Sequence, residues 1–358
     1  MPVEKVDVNT FLALAKKHLV FDVRSPNEYA YAHIPGAISL PIFNDTQRAE
    51  IGTAYKQINR QDAIKIGFKY FGGELNNYVN KVEQSLSQHK NISKEKILVH
   101  CWRGGMRSGA MAWLLDFYGF EVILLDGGYK SYRNFVLEQL AWPYQFNVLG
   151  GYTGSGKTEI LLALIKHHNA VIDLEGIACH KGSSFGSLGM SEQPTQEQFE
   201  NNLANELSKF VLQNEEGNLY QPKPIWIENE SQRIGLINLP KPFYQTILNG
   251  KLFNLNIPFQ ERLNFITKYY GTFEKDKLVT AIMRIQKRLG GLDTKNAINF
   301  LLEGNVQNSF DILLKYYDKQ YLQSANKTHR KATIINSPVV DENINAQLIL
   351  QQYNQHDN

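Results

Sequence analysis

Residues 151–158 read Gly-Tyr-Thr-Gly-Ser-Gly-Lys-Thr, a match to G-x-x-x-x-G-K-[ST]. No other stretch restricts the fold as strongly. An apolar strand-like run, FNVLG, leads into it, and an apolar helical run, EILLALI, leads out. A strand, a glycine-rich turn and a helix in that order point successive backbone N–H groups and a helix N-terminus at one anion. The reading has Gly151 open the turn and the amides of Gly154, Ser155, Gly156, Lys157 and Thr158 wrap a diphosphate. Lys157 reaches the outer oxygens, and Thr158 is placed to ligate Mg²⁺. The octet reports a phosphate chain and not what is attached to it. Glu228, after the strand-like PIWI, is the first candidate for an acidic partner of metal or water; Asp173 and Glu175 in VIDLEG are its rivals.

The chain has 358 residues, which predicts two domains or three. Before the glycine loop, the runs HLVFDV (18–23), KILVHC (96–101) and FEVILLDGG (120–128) read as strands, and SGAMAWLLDFYG between the last two reads as a helix. This alternation predicts parallel α/β architecture. A composition break at AWPYQ places a boundary near residue 140, giving domains 1–140 and 141–358. In the second domain VIDLEG (171–176), PIWIEN (224–229) and TIINS (333–337) read as strands. Residues 195–213 read as an amphipathic helix with Phe199, Leu203, Leu207, Phe210 and Val211 on one face. From about 258 to 331 the pattern is helical. No run is long and apolar enough for a membrane span and no export signal is evident, so a cytoplasmic protein is expected.

Only two cysteines occur, Cys101 and Cys179, which excludes a disulfide framework and a four-cysteine zinc site. Cys101 ends a strand in His-Cys-Trp-Arg-Gly-Gly-Met-Arg-Ser (100–108) and is followed by a helix. Inward amides, the helix N-terminus, Arg107 and Arg103 all favour a thiolate there and a bound anion beside it. The alternative is a buried structural cysteine at a strand end. Cys179, in IACHKGSSFG, lacks such surroundings and is read as non-catalytic.

Three segments resemble the rhodanese domain: DVRSPNEYAYAHIPGAISLP (22–41), LVHCWRGGMRSGAMAWLL (98–115) and ILLDGGYKSYR (123–133). The resemblance covers about residues 5–135 and implies Cys101 as the carrier of sulfur, held as a persulfide. One residue more than usual separates the cysteine from Arg107. In that respect the loop also resembles dual-specificity phosphatases of the same fold. A rhodanese-fold sulfurtransferase or a phosphatase with a nucleotide-binding regulatory domain is therefore the competing reading.

The fusion of this half to a phosphate-loop half resembles the tRNA 2-selenouridine synthases. The likeness runs through VHCWRGGMRSGAMAWLL, GGYTGSGKTEIL, DLEGIACHKGSSFG, WIENESQRIG, KRLGG and LLKYYDKQY. It implies a transferase acting on tRNA that carries wobble 2-thiouridine. The sulfur is geranylated from geranyl diphosphate, and the geranylthio group is then replaced by selenium from selenophosphate. Geranyl diphosphate is assigned to the phosphate loop and selenophosphate to the Cys101 loop. Cys101 either becomes a selenium carrier or only assists the displacement. A selenophosphate-supplying enzyme is the expected protein partner.

The net charge is +3, yet residues 265–331 carry twelve Lys or Arg against six Asp or Glu. Arg284, Lys287, Arg288, Lys327, Arg330 and Lys331 are the candidate tRNA-binding cations. Tyr316, Tyr317 and Tyr321 are candidates for stacking on an unpaired base, with helix packing as the alternative. Phe185, Trp226 and Phe243 are the candidate geranyl contacts.

Overall fold

The computed structural model describes residues 3–89, 96–214, 219–328 and 330–356; of 213, 324–328 and 356 it describes the backbone alone. The chain divides into two compact units. One is Met1–Gln139 with Glu200–Ala204, and the other is Leu140–Phe199 with Asn205–Asn358. Among the described residues no helix is long and apolar enough to cross a membrane.

The first unit is built on a five-stranded parallel sheet. Its order is Glu4–Val6, Glu121–Leu125, Lys96–His100, Leu19–Asp22, Ile38–Ser39. The strand that ends at Cys101 is central, with Ile97, Leu98 and Val99 fully buried, as a parallel sheet covered on both faces requires. Helix Met106–Tyr118 packs Met111, Ala112, Leu114 and Leu115 into the core and stops at Gly119, whose φ of 116° suits a residue without Cβ. The two strands the sequence did not announce, Glu4–Val6 and Ile38–Ser39, are three and two residues long, too short to show a period.

The second unit holds another parallel sheet, ordered Ala332–Asn336, Lys251–Asn256, Phe146–Gly151, Ile225–Glu228, Val171–Ile172. Phe146–Gly151 is again central and feeds directly into the glycine loop. Helices Lys157–Lys166 and Glu342–His356 cover one face, where Ile160, Leu161, Leu164, Ala346 and Ile349 share a core with Trp226, Phe253 and Leu255. Helices Phe259–Tyr270, Lys275–Leu289, Gly291–Leu302 and Val306–Thr328 enclose a separate core around Leu263, Leu278, Ile282, Leu301 and Leu314.

Two expectations need correction, and one strand is new. The VIDLEG strand stops at Ile172, because Asp173 turns the chain and caps helix Leu174–Ala178 by accepting the Gly176 N–H at 2.7 Å. The helix expected over 195–213 ends at Leu207, followed by a 3₁₀ turn and a short strand at Leu212–Gln213. Phe199, Leu203 and Leu207 are buried as expected, but Phe210 and Val211 are not. Strand Lys251–Asn256 was not anticipated, since Asn254 and Asn256 break its apolar pattern.

The Gly127–Gly128 turn seats the cysteine loop. Gly128 has φ 60°, and a Cβ there would lie 2.5 Å from both the Cys101 carbonyl oxygen and the Gly104 nitrogen. Gly128→Ala should therefore destabilise the chain by roughly 1–3 kcal/mol in chemical denaturation, with tryptophan fluorescence as the readout. A loss within error of zero would show that the turn yields without strain.

Candidate active sites

At the end of its buried strand Cys101 is 3% exposed. The Tyr129 N–H donates to the Cys101 carbonyl at 2.8 Å and the Lys130 N–H to that of Trp102 at 3.0 Å. The first turn of the next helix thus ties the loop down. The thiol Sγ lies 3.2 Å from Ser108 Oγ. Burial pushes the Cys101 thiol up, but the Ser108 hydroxyl and N–H, the Arg103 N–H and the Arg107 charge outweigh it. The thiol is held below its ordinary value. Arg103 acts here through its amide, and its side chain is exposed.

Arg107 has a partner that the sequence did not suggest. Its Nη1 lies 2.7 Å from Glu28 Oε2, and Arg48 approaches the same carboxylate at 3.6 Å. Burial raises Glu28, yet the hydrogen bond and charge of Arg107 hold it below the ordinary carboxylate value. Arg107 is therefore not unpaired at the loop mouth, and an anion there would share it with Glu28. The motif signal for Glu28 was local: it closes the capping box that starts helix Pro26–Tyr31 at Ser25.

A buried polar group lies at the ends of the neighbouring strands. Arg24 forks onto Asp22, donates to the Ala32 carbonyl at 2.7 Å and lies with its Cζ 3.7 Å from the Tyr129 ring centroid. His100 Nε2 is 3.7 Å from Asp22 Oδ2; burial holds His100 below its ordinary value despite that charge.

In the second unit, the glycine loop takes the dihedrals its glycines permit, with φ 82° at Gly154 and 70° at Gly156, which precedes helix Lys157–Lys166. Ser155 Oγ donates to the Tyr152 carbonyl at 2.7 Å and Lys157 Nζ to that of Gly151 at 3.3 Å. Two props from distant sequence hold the loop. Arg262, 3% exposed, donates to the Thr153 carbonyl at 3.1 Å and forks onto Asp318 at 2.8 and 2.7 Å. Tyr321 accepts the Gly151 N–H at 3.1 Å. The sequence offered no signal for Arg262 or Asp318, because each lies in an ordinary amphipathic helix.

Thr158 Oγ1 donates to Glu175 Oε2 at 3.0 Å, and Glu175 and Glu230 are hydrogen-bonded to each other. Burial raises Glu175, with Lys157 opposing. Burial and the Glu175 charge push Glu230 up to about 8, so the pair holds a proton at neutral pH. Glu175, Glu230, Lys157 and Thr158 all line a cavity of about 670 Å³.

Several candidate residues are placed otherwise than expected. Glu228 is fully buried and accepts the Leu174 N–H at 2.9 Å. Burial, then the charges of Asp173 and Glu175, push it well above the ordinary carboxylate value, and it stands away from the cavity. Asp173 is a helix cap, and Glu175 occupies the position beside Thr158. Arg330 is no surface cation: it is half-buried, lines the cavity and donates to the carbonyls of Ile247 at 2.7 Å and Gly250 at 2.5 Å. Arg284, Lys287 and Arg288 are exposed opposite the buried stripe of helix Lys275–Leu289, and Lys331 is exposed; the Lys327 side chain lies outside the described residues. Tyr316 and Tyr317 pack against the helical core, and Tyr321 holds the glycine loop. Phe185, Trp226 and Phe243 are core residues, none of them lining the cavity.

The model of the tRNA 2-selenouridine synthase AAA domain matches residues 144–340, and that of the rhodanese-like domain matches residues 8–135. The chain belongs to the tRNA 2-selenouridine synthase family. Its relatives include tRNA 2-selenouridine synthases of three organisms. That of Hydrogenovibrio crunogenus is 35% identical over 76% of each chain. That of Shewanella piezotolerans is 32% identical over 91% of this chain and 94% of the relative. That of Bdellovibrio bacteriovorus is 31% identical over 87% and 89%. Members of the family are enzymes, and so is this chain.

In a Cys179→Ser background, alkylation of Cys101 by iodoacetamide should persist to lower pH than that of a free thiol. Ser108→Ala should slow it roughly tenfold at pH 7, since a hydrogen bond to a charged group contributes about 1.5–3 kcal/mol. An unchanged pH–rate profile in Ser108→Ala would remove the hydroxyl from the account.

Proposed function

We propose that the chain geranylates the 2-sulfur of wobble 2-thiouridine in tRNA, using geranyl diphosphate, and then exchanges the geranylthio group for selenium from selenophosphate. Family membership supports the coarser statement that this is a tRNA-modifying enzyme of selenium chemistry. The observation that carries the finer one is a pair of anion cradles of different chemistry in one chain. One holds a thiol below its ordinary value, and the other is a phosphate loop in a cavity with one apolar wall.

In the first step the sulfur attacks C1 of the geranyl group, the C1–O bond breaks, diphosphate leaves and the uridine loses its N3 proton. Lys157 and the loop amides are placed to stabilise charge on the departing oxygens. In the second step selenium replaces sulfur at C2, geranylthiol leaves, and hydrolysis of the P–Se bond releases phosphate. The Cys101 loop receives selenophosphate, with its amides and Arg107 facing the oxygens. Thr158 and Glu175 form the donor pair that would hold Mg²⁺, whose charge would screen the diphosphate. The exposed Arg284, Lys287, Arg288 and Lys331 would hold tRNA phosphates in a salt-dependent way. A cytoplasmic setting and a selenophosphate-supplying enzyme complete the reading.

Nucleoside mass spectrometry of thiolated tRNA, with geranyl diphosphate and selenophosphate added separately and together, tests this. Cys101→Ala should block selenium insertion and leave geranylation largely intact. Loss of geranylation in a folded Cys101→Ala protein would overturn the division of labour. Lys157→Ala should lower geranyl diphosphate use by roughly 10²-fold or more. Hydrolysis of an aryl phosphate, or thiosulfate-to-cyanide transfer, without change to thiolated tRNA would favour the phosphatase or sulfurtransferase reading instead.

A further inference from the structure

The cavity at the phosphate loop has two linings of opposite character. One is rich in hydroxyl groups and charge: Lys181 Nζ lies 3.0 Å from the Tyr269 hydroxyl, and Ser183, Tyr270 and Tyr317 stand beside them. The other comes from the sheet. Strand register pairs Leu252 with Ala332 and Asn254 with both Ile334 and Gly150, so these residues share one face. Phe253, Leu255 and Ile335 alternate to the other face and are buried under the helices there. Gly150 keeps the first face open at the loop: a Cβ on it would meet Asn254 Oδ1 at 2.8 Å and Leu252 Cδ1 at 3.1 Å.

Tyr321, Asn254 and Arg330 bond one another or the backbone on this face, while the buried Nε and Nη1 of Arg330 have no partner among the described residues. The Tyr321 hydroxyl donates to Asn254 Oδ1 and accepts the Gly151 N–H, and Arg330 donates to two carbonyls. The rest of this wall is apolar: Leu252, Ala332 and Ile334, with Leu248 and the ring of Tyr244 from helix Lys241–Asn249. Ile334 is 53% exposed within a cavity that begins at an anion cradle. An anion cradle continuous with a hydrocarbon surface fits a ligand with a phosphorylated head and an apolar tail, and about 670 Å³ accommodates one of modest size.

We propose that Leu252, Ala332 and Ile334, with Leu248 and Tyr244, form the tail site of a prenyl diphosphate whose head lies on the phosphate loop. The assignment rests on the proposed function for the identity of the tail and on the sheet face for its place. The hydroxyl-lined side is left to the planar, polar nucleoside. Covering Ile334 with hydrocarbon contributes at a rate of about 25 cal/mol per Å² of apolar surface removed from water.

Isothermal titration of the full chain with geranyl diphosphate and with inorganic diphosphate gives an affinity ratio that isolates the tail. Ile334→Trp, at a half-exposed position, should lower that ratio at least tenfold while inorganic diphosphate binding reports an intact loop. Ile334→Ala should improve farnesyl relative to geranyl diphosphate, and Tyr269→Leu should leave the ratio unchanged. A ratio near one in the parent chain overturns the tail site. So does a ratio unmoved by both Ile334 variants, or one that falls only in Tyr269→Leu. Should tRNA geranylation fail while Ile334→Trp still lowers the ratio, the proposed reaction falls and the tail site stands. Geranylation with an unaffected ratio means the reverse.

Discussion

A negative charge at the end of a buried parallel strand survives only where backbone donors replace the water it has lost. Both candidate sites of this chain meet that condition in the same way. A central strand, Lys96–His100 in one unit and Phe146–Gly151 in the other, runs through an apolar core and stops at a glycine-containing loop. A helix follows at once, and its N-terminus adds further donors. The sheets fix where each loop sits.

The two cradles differ in how side chains complete the charge balance. At Cys101 the loop carries a thiol held below its ordinary value, and the nearby guanidinium of Arg107 is matched by Glu28. At the phosphate loop, Lys157 faces a carboxyl pair that holds a proton in common. An anion placed at Lys157 would stabilise the protonated form of that pair, which would couple proton content to anion binding there.

Sequence reading reached the strands that lead into the two loops, the loops themselves and the helical stretch after residue 258, because all depend on local pattern. It identified the phosphate-loop octet and the Cys101 loop for the same reason. It could not reach Glu28, Arg262, Asp318 or Glu230, whose positions depend on tertiary approach. Glu228 shows the limit well. Its place after PIWI looked right, yet the backbone directs it to the Leu174 amide, and Glu175 stands beside Thr158 instead. Arg330 shows the same limit for charge: counting cations along the chain cannot separate a surface arginine from one fastened to two carbonyls in a cavity wall.

Asp318 and Tyr321 lie three positions apart on helix Val306–Thr328, and through them the phosphate loop is braced from far along the chain. The order of synthesis gives this a consequence. The Cys101 loop has its supporting turn once Gly128, Tyr129 and Lys130 have emerged from the ribosome. The glycine loop, made soon afterwards, lacks its brace until a partner 170 positions downstream of Gly151 appears. The two sites therefore mature at different times. A chain that ends before Asp318 carries a formed thiol loop and a phosphate loop without the props that helix Val306–Thr328 supplies.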